Sequence, residues 1–145
     1  MHELAIAAAF VWLGMVLAIS FIEAPIKFRA PGVTIPLGLG IGRLVFKALN
    51  SCEIVLAVCL VLGSFAAAAS EAARISVVVA VVMLVVQLLA VRPALSRRTD
   101  AVLANPDAVK GPDSRAHLWY IGLEVVKTVA LITGGVFLLL PVTVL

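Results

Sequence analysis

Five residues in the last quarter of the chain, His117, Tyr120, Glu124, Lys127 and Thr128, are separated by three, four, three and one positions. At 3.6 residues per turn, that spacing puts them on one face of a helix. Their types suit proton and ion chemistry. An imidazole and a phenol can exchange protons, a carboxylate can accept one or hold a cation, and an ammonium group can neutralise a carboxylate. Arg43, Lys47, Asn50 and Glu53 follow the same three-four rule upstream, and Glu23 and Gln87 each add a polar side chain from another segment. Asn50, Glu53, Gln87, His117, Tyr120, Glu124 and Lys127 therefore make a candidate ligand or ion pocket, with Glu23, Lys27, Arg43 and Lys47 at its rim.

The segments that carry these residues are strongly apolar. The chain has 145 residues, of which 63% are hydrophobic and 13% charged, with mean hydropathy +1.20. That leaves too few polar residues to coat a water-soluble globule, and the apolar ones fall in blocks, as in an integral membrane protein. A helix needs roughly 20 mostly apolar residues to cross about 30 Å of hydrocarbon. Four runs qualify: Leu4 to Ile22, Leu44 to Ala69, Ala73 to Val91 and Leu118 to Leu140. The reading is all-α, one domain over 1–145, a transmembrane four-helix bundle whose surroundings are the lipid bilayer. A charge at the centre of such a helix costs about 2.5 to 3.5 kcal/mol on insertion scales, so Lys127 needs a partner or a purpose.

The net charge of +3 and pI near 9.2 describe topology rather than a nucleic-acid partner. Lys27, Arg29, Arg43 and Lys47 lie between the first two runs, and Arg92, Arg97, Arg98, Lys110 and Arg115 between the last two. Arg74 stands alone in the middle connection. The positive-inside rule then predicts both long connections in the cytoplasm and both termini outside, in a bacterial inner membrane. Met1-His2-Glu3 lacks a basic stretch of the signal-peptide kind, so the first run reads as a retained helix.

With helix starts at Leu44 and Leu118, Glu124 lies about 9 Å and both Glu53 and Lys127 about 13 Å from the inner ends. The expectation is a polar cavity open to the cytoplasm beneath an apolar outer plug. Lys127 can neutralise one of Glu53 and Glu124. The other is left to be protonated, to pair with Arg43 or His117, or to meet a cationic ligand. An alternative is that Glu53 and Lys127 form a buried pair that only fixes helix register. Trp12 reads as packing.

The first connection, from Glu23 to Gly42, holds Pro25, Pro31 and Pro36 and the alternating glycines 38, 40 and 42. It reads as irregular backbone lying at the interface or dipping into the bundle as a re-entrant piece. Its glycine spacing does not match a dinucleotide fingerprint. Arg97 to Asn105 reads as a short separate cytoplasmic helix, Gly111-Pro112 as a break, and Asp113 or Ser114 as the N-cap of the last helix.

Several chemistries are disfavoured. Cys52 and Cys59 lie about two turns apart on one helix, roughly 10 Å by helical rise, too far for a disulfide. His2 and His117 belong to opposite ends and cannot share a haem. His117 and Glu124 are likewise about 10 Å apart along the axis, so no metal site is expected. No serine, histidine and acid arrangement suggests a hydrolase. No cofactor is identified by these residues.

Phe21-Ile-Glu-Ala-Pro-Ile-Lys-Phe28 with Arg-Ala-Pro-Gly (29–32), Ile41-Gly-Arg-Leu-Val-Phe-Lys-Ala-Leu-Asn50, and the late His117, Tyr120, Glu124 and Lys127 resemble a group of small bacterial four-helix membrane proteins of uncharacterised function. The resemblance covers most of the chain and implies a fold without an activity. More distantly the layout is similar to the class that includes copper resistance protein D. The chain departs from a copper reading because Met1, Met15 and Met83 form no cluster.

The leading expectation is a non-enzymatic protein whose pocket binds or moves a small solute or proton. If it transports, it does so as a homo-oligomer, with Gly14, Gly63, Gly134 and Gly135 as close-contact points. A membrane enzyme acting on a quinone, lipid or haem precursor and a scaffold subunit of a larger membrane complex are the alternatives.

Overall fold

A computed structural model describes residues 1–66, 69–105 and 115–140, excluding the side chains of 115–117. Four long helices make up nearly all of it: α1 (His2–Arg29), α2 (Ile35–Ala66), α3 (Glu71–Ala104) and α4 (Arg115–Leu139). Each is long and apolar enough to cross a membrane, and among the described residues there is no strand. The chain is an all-helical, multi-pass bundle.

The connections are shorter than the sequence suggests. The segment expected to be irregular from Glu23 to Gly42 is helical apart from five residues, Ala30 to Thr34. There the backbone turns through Gly32 at φ +80°, a conformation that glycine adopts without penalty, and Val33 N–H bonds to the Ala30 carbonyl at 3.2 Å. Thr34 then starts α2, its Oγ1 accepting from Leu37 N at 3.4 Å. Pro36 occupies the first turn, where its missing N–H leaves nothing unsatisfied. The re-entrant alternative for 33–42 is thereby replaced by the first turns of one continuous helix.

Two other prolines are absorbed inside helices. Pro25 follows a π-helical turn at Leu17–Glu23, and Pro93 follows one at Gln87–Val91. A proline inside a helix cannot donate its N–H and crowds the carbonyl one turn back; a wider turn relieves both. In a bilayer the reward for continuing is large, because any backbone group left unpaired in hydrocarbon costs several kcal/mol. For the same reason the separate helix expected from Arg97 to Asn105 is the last part of α3, which ends at Ala104. The predicted Gly111-Pro112 break and the Asp113 or Ser114 cap lie outside the described residues. α3 begins at Glu71, with Ser70 Oγ capping the helix by accepting from Ala73 N at 3.2 Å.

α1 packs on both α2 and α4, and α3 packs chiefly on α4. One half of the bundle is closed by small residues: Ala5, Ala8, Ala9, Ala73 and Ala80 are buried with Leu60, Val77 and Leu131. Three of the four glycines expected at close contacts between helices make such contacts within the chain. A Cβ on Gly63 would lie 2.8 Å from Ala5 Cβ and from the Met1 carbonyl, one on Gly134 3.2 Å from Ser76, and one on Gly135 3.0 Å from the Phe10 ring. Of the four, Gly14 alone meets open space. In the other half, Gly38 and Gly42 let the end of α1 lie against α2: their Cβ positions would fall 2.3 Å from the Phe28 ring and 2.7 Å from Lys27 Nζ.

Candidate functional site

Because α2 begins at Ile35 and not Leu44, Glu53 lies eighteen residues into its helix, about 27 Å along the axis. Lys127 lies twelve residues into α4, about 18 Å. The ion pair therefore belongs at mid-length of the bundle, deeper than the sequence placed it. Gln87 and Trp12 meet it there from α3 and α1.

The Lys127 ammonium is fully enclosed, at 0% exposure. It gives each of its three protons to a different acceptor: Glu53 Oε1 at 2.5 Å, Gln87 Oε1 at 2.8 Å and Glu124 Oε1 at 3.1 Å. An ammonium has three donors and no acceptor, so this group is saturated. Glu53 Oε1 also accepts from the Trp12 indole at 2.9 Å. With the Asn50 amide oriented to suit its neighbours, its nitrogen donates to Glu53 Oε2 and its oxygen accepts from Arg92 Nε, both at 3.0 Å. Gln87 Nε2 donates to Glu124 Oε1 at 3.0 Å. Every helix contributes to one buried polar network, as isolated charges in a low-dielectric interior require.

The two carboxylates are not equivalent. Glu53 is bonded on both oxygens, whereas Glu124 uses only Oε1, and its Oε2 is buried with no hydrogen-bond partner. Glu124 also lines a cavity of about 430 Å³ with residues from all four helices. Its walls include Phe21, Phe28, Leu39, Phe46, Leu95 and Ile121, and its cationic residues are Lys27, Arg43 and Arg92. Two more of its residues, Ser20 and Tyr120, carry buried hydroxyls without a partner. The Tyr120 ring stands edge-on to Phe46 with centroids 5.4 Å apart.

Asn50, Glu53, Gln87, Glu124 and Lys127 come together as the spacing predicts, and Tyr120 joins them at the cavity wall. The His117 side chain lies outside the described residues. At the rim, Lys27 bonds Glu23 Oε2 at 3.4 Å, and Arg43 forms a salt bridge with Asp100. Glu124 does not pair with Arg43: Lys127 bonds one oxygen of each buried carboxylate, and Arg43 is held by Asp100. Lys47 stands on an exposed face and is not part of the cavity lining. Among the described residues no three His, Cys, Asp or Glu side chains gather as metal ligands.

Two members were missed by sequence reasoning. Trp12 was assigned to packing, but it is the only network donor from α1. Arg92 reads from the sequence as one of the charges of the last connection, yet the π-helical turn carries α3 through that point and leaves Arg92 beside Asn50. A proline next to a charged residue within hydropathic reach of a span was the available signal. No family model, curated protein or solved structure matches the chain.

Proposed function

We propose that this protein is a bacterial inner-membrane protein that binds a small solute in the cavity beside Glu124, with its basic end in the cytoplasm. The observation that carries the reading is the asymmetry of Glu124, a residue of the cavity lining: one oxygen is held by Lys127 and Gln87, and the other is buried beside the Tyr120 hydroxyl without a protein donor in hydrogen-bond geometry. A buried carboxylate oxygen without a donor is costly, and a bound donor or an arriving proton relieves that cost. The cavity also has the size and mixed lining of a ligand pocket, within the ~300–1,000 Å³ such pockets span. Occupancy is thereby coupled to the charge state of the Lys127 network, which is how the protein would bind or move a solute or proton. The apolar packing of Ala5, Ala8, Leu60 and Val77 closes the other half. Any movement across therefore needs a second arrangement of the helices.

Native mass spectrometry of the chain released from mild detergent tests this. A small molecule retained by the wild type and lost from Glu124→Gln supports the binding reading. Equal spectra without added mass for both proteins count against it. A scaffold role is the second reading, favoured by the saturation of Lys127. In that case the network only locks the helices together, and the bare chain is unstable without its partner.

A further inference from the structure

We infer that the cavity selects an electrically neutral, ring-bodied small molecule bearing a hydroxyl group. This inference rests on the pocket reading above and specifies its ligand. Among the described residues, the ions on and behind the cavity wall are already matched. Lys27 is paired with Glu23 and Arg43 with Asp100. Lys127 is shared by Glu53 and Glu124, and Arg92 is tied to Glu53 through the Asn50 amide. Four cations face four carboxylates. A charged ligand would bring an ion that has no counter-charge left, into a setting where an unpaired charge is heavily penalised.

The unsatisfied groups are of another kind. Glu124 Oε2 can only accept a hydrogen bond, while the hydroxyls of Tyr120 and Ser20 can give or take one. The three atoms are covered in this arrangement, with the Tyr120 hydroxyl next to both others, so a ligand hydroxyl reaches them by a small side-chain shift at the wall, donating to Glu124 and accepting from Tyr120 or Ser20. The rest of the wall is apolar and aromatic, with Phe21, Phe28, Phe46 and the Tyr120 ring contributed by three helices. Such walls favour a planar ring, through edge-to-face and offset contacts. At about 430 Å³ the cavity takes a compact molecule and not a whole two-chain lipid.

Three naphthalenes of similar shape separate the outcomes: 2-naphthol (neutral), 2-naphthoate (anionic) and 2-naphthylmethylammonium (cationic). Each is titrated at pH 7 into the full-length protein in nanodiscs. Ala24→Trp, which fills the cavity from its wall, sets the background due to partition into lipid. We expect 2-naphthol to bind at least tenfold more tightly than either ion, and Tyr120→Phe and Glu124→Gln each to weaken it about tenfold. Preference for either ion overturns the inference and leaves the pocket reading standing. Naphthol binding that is indifferent to both Tyr120→Phe and Glu124→Gln also overturns it. Failure of all three probes to bind above the Ala24→Trp background overturns the inference and the pocket reading together.

Discussion

Trp12 donates its indole N–H to Glu53 Oε1 across 2.9 Å, from the middle of α1 to the middle of α2. The bond places a neutral donor on the carboxylate oxygen that already holds Lys127, which spreads its charge over two helices. Trp12→Phe keeps most of the buried ring and removes this donor. The expected loss is about 1–3 kcal/mol, the range for stranding a buried polar group. Thermal unfolding in detergent measures it, and an unchanged midpoint would show that the bond contributes nothing. In a Trp119→Phe background the same residue is a spectroscopic reporter. Its emission should be that of a buried indole and should respond to Glu53→Gln.

Removing Lys127 leaves two buried carboxylates facing each other. Lys127→Met should therefore cost about 3–5 kcal/mol, a fall in melting temperature on the order of 10 °C for a chain of this size. Combining it with Glu53→Gln restores the count of charges. The double variant should recover part of the loss, as measured in the same unfolding experiment. If the double variant is as stable as wild type and retains ligand as wild type does, the pair has no role beyond itself.

The contact of Gly38 with Phe28 predicts a position-specific effect among the three glycines in the first turns of α2. Gly38→Val should destabilise the bundle, because its side chain would enter space held by the ring, whereas Gly40→Ala meets nothing within 4 Å. The latter should be neutral or stabilising by roughly 0.5–1 kcal/mol from helix propensity. Phe28→Ala should rescue Gly38→Val. Equal effects at positions 38 and 40 would contradict the packing described for the end of α1.

The charge distribution predicts orientation. Fused at the C-terminus, alkaline phosphatase should be active and a fluorescent protein dark, since both termini are expected outside. The reverse pattern would turn the cavity's basic rim to the other side of the membrane and remove the cytoplasmic assignment.

Much of this site is legible from spacing. Glu124, Lys127 and Tyr120 share a helical face, and Asn50 and Glu53 share another, because 3.6 residues per turn is a property of the backbone and not of its surroundings. Helix ends are different. Pro25, Pro36 and Pro93 and the glycines from 38 to 42 are signals of local preference learned where water is available to replace a lost backbone bond. In the chain's own apolar setting the helices run on. The error in the start of α2 propagated into the depth of Glu53, and the error in the end of α3 hid Arg92. Trp12 was unreadable for another reason: an indole in an apolar stretch is consistent with packing until the helix facing it is known.

The three protons of Lys127 also bear on how the chain is made. Each goes to a different acceptor, and two of these stand on α2 and α3. α4, which carries the lysine, is the least apolar of the four spans and the last to be synthesised. On its own it would enter lipid with a bare ammonium group beside Glu124. Once α1 to α3 have gathered, Glu53 and Gln87 form a ready seat for it. Docking of α4 thus depends on α2 and α3 being rotated so that Glu53 and Gln87 face the same point.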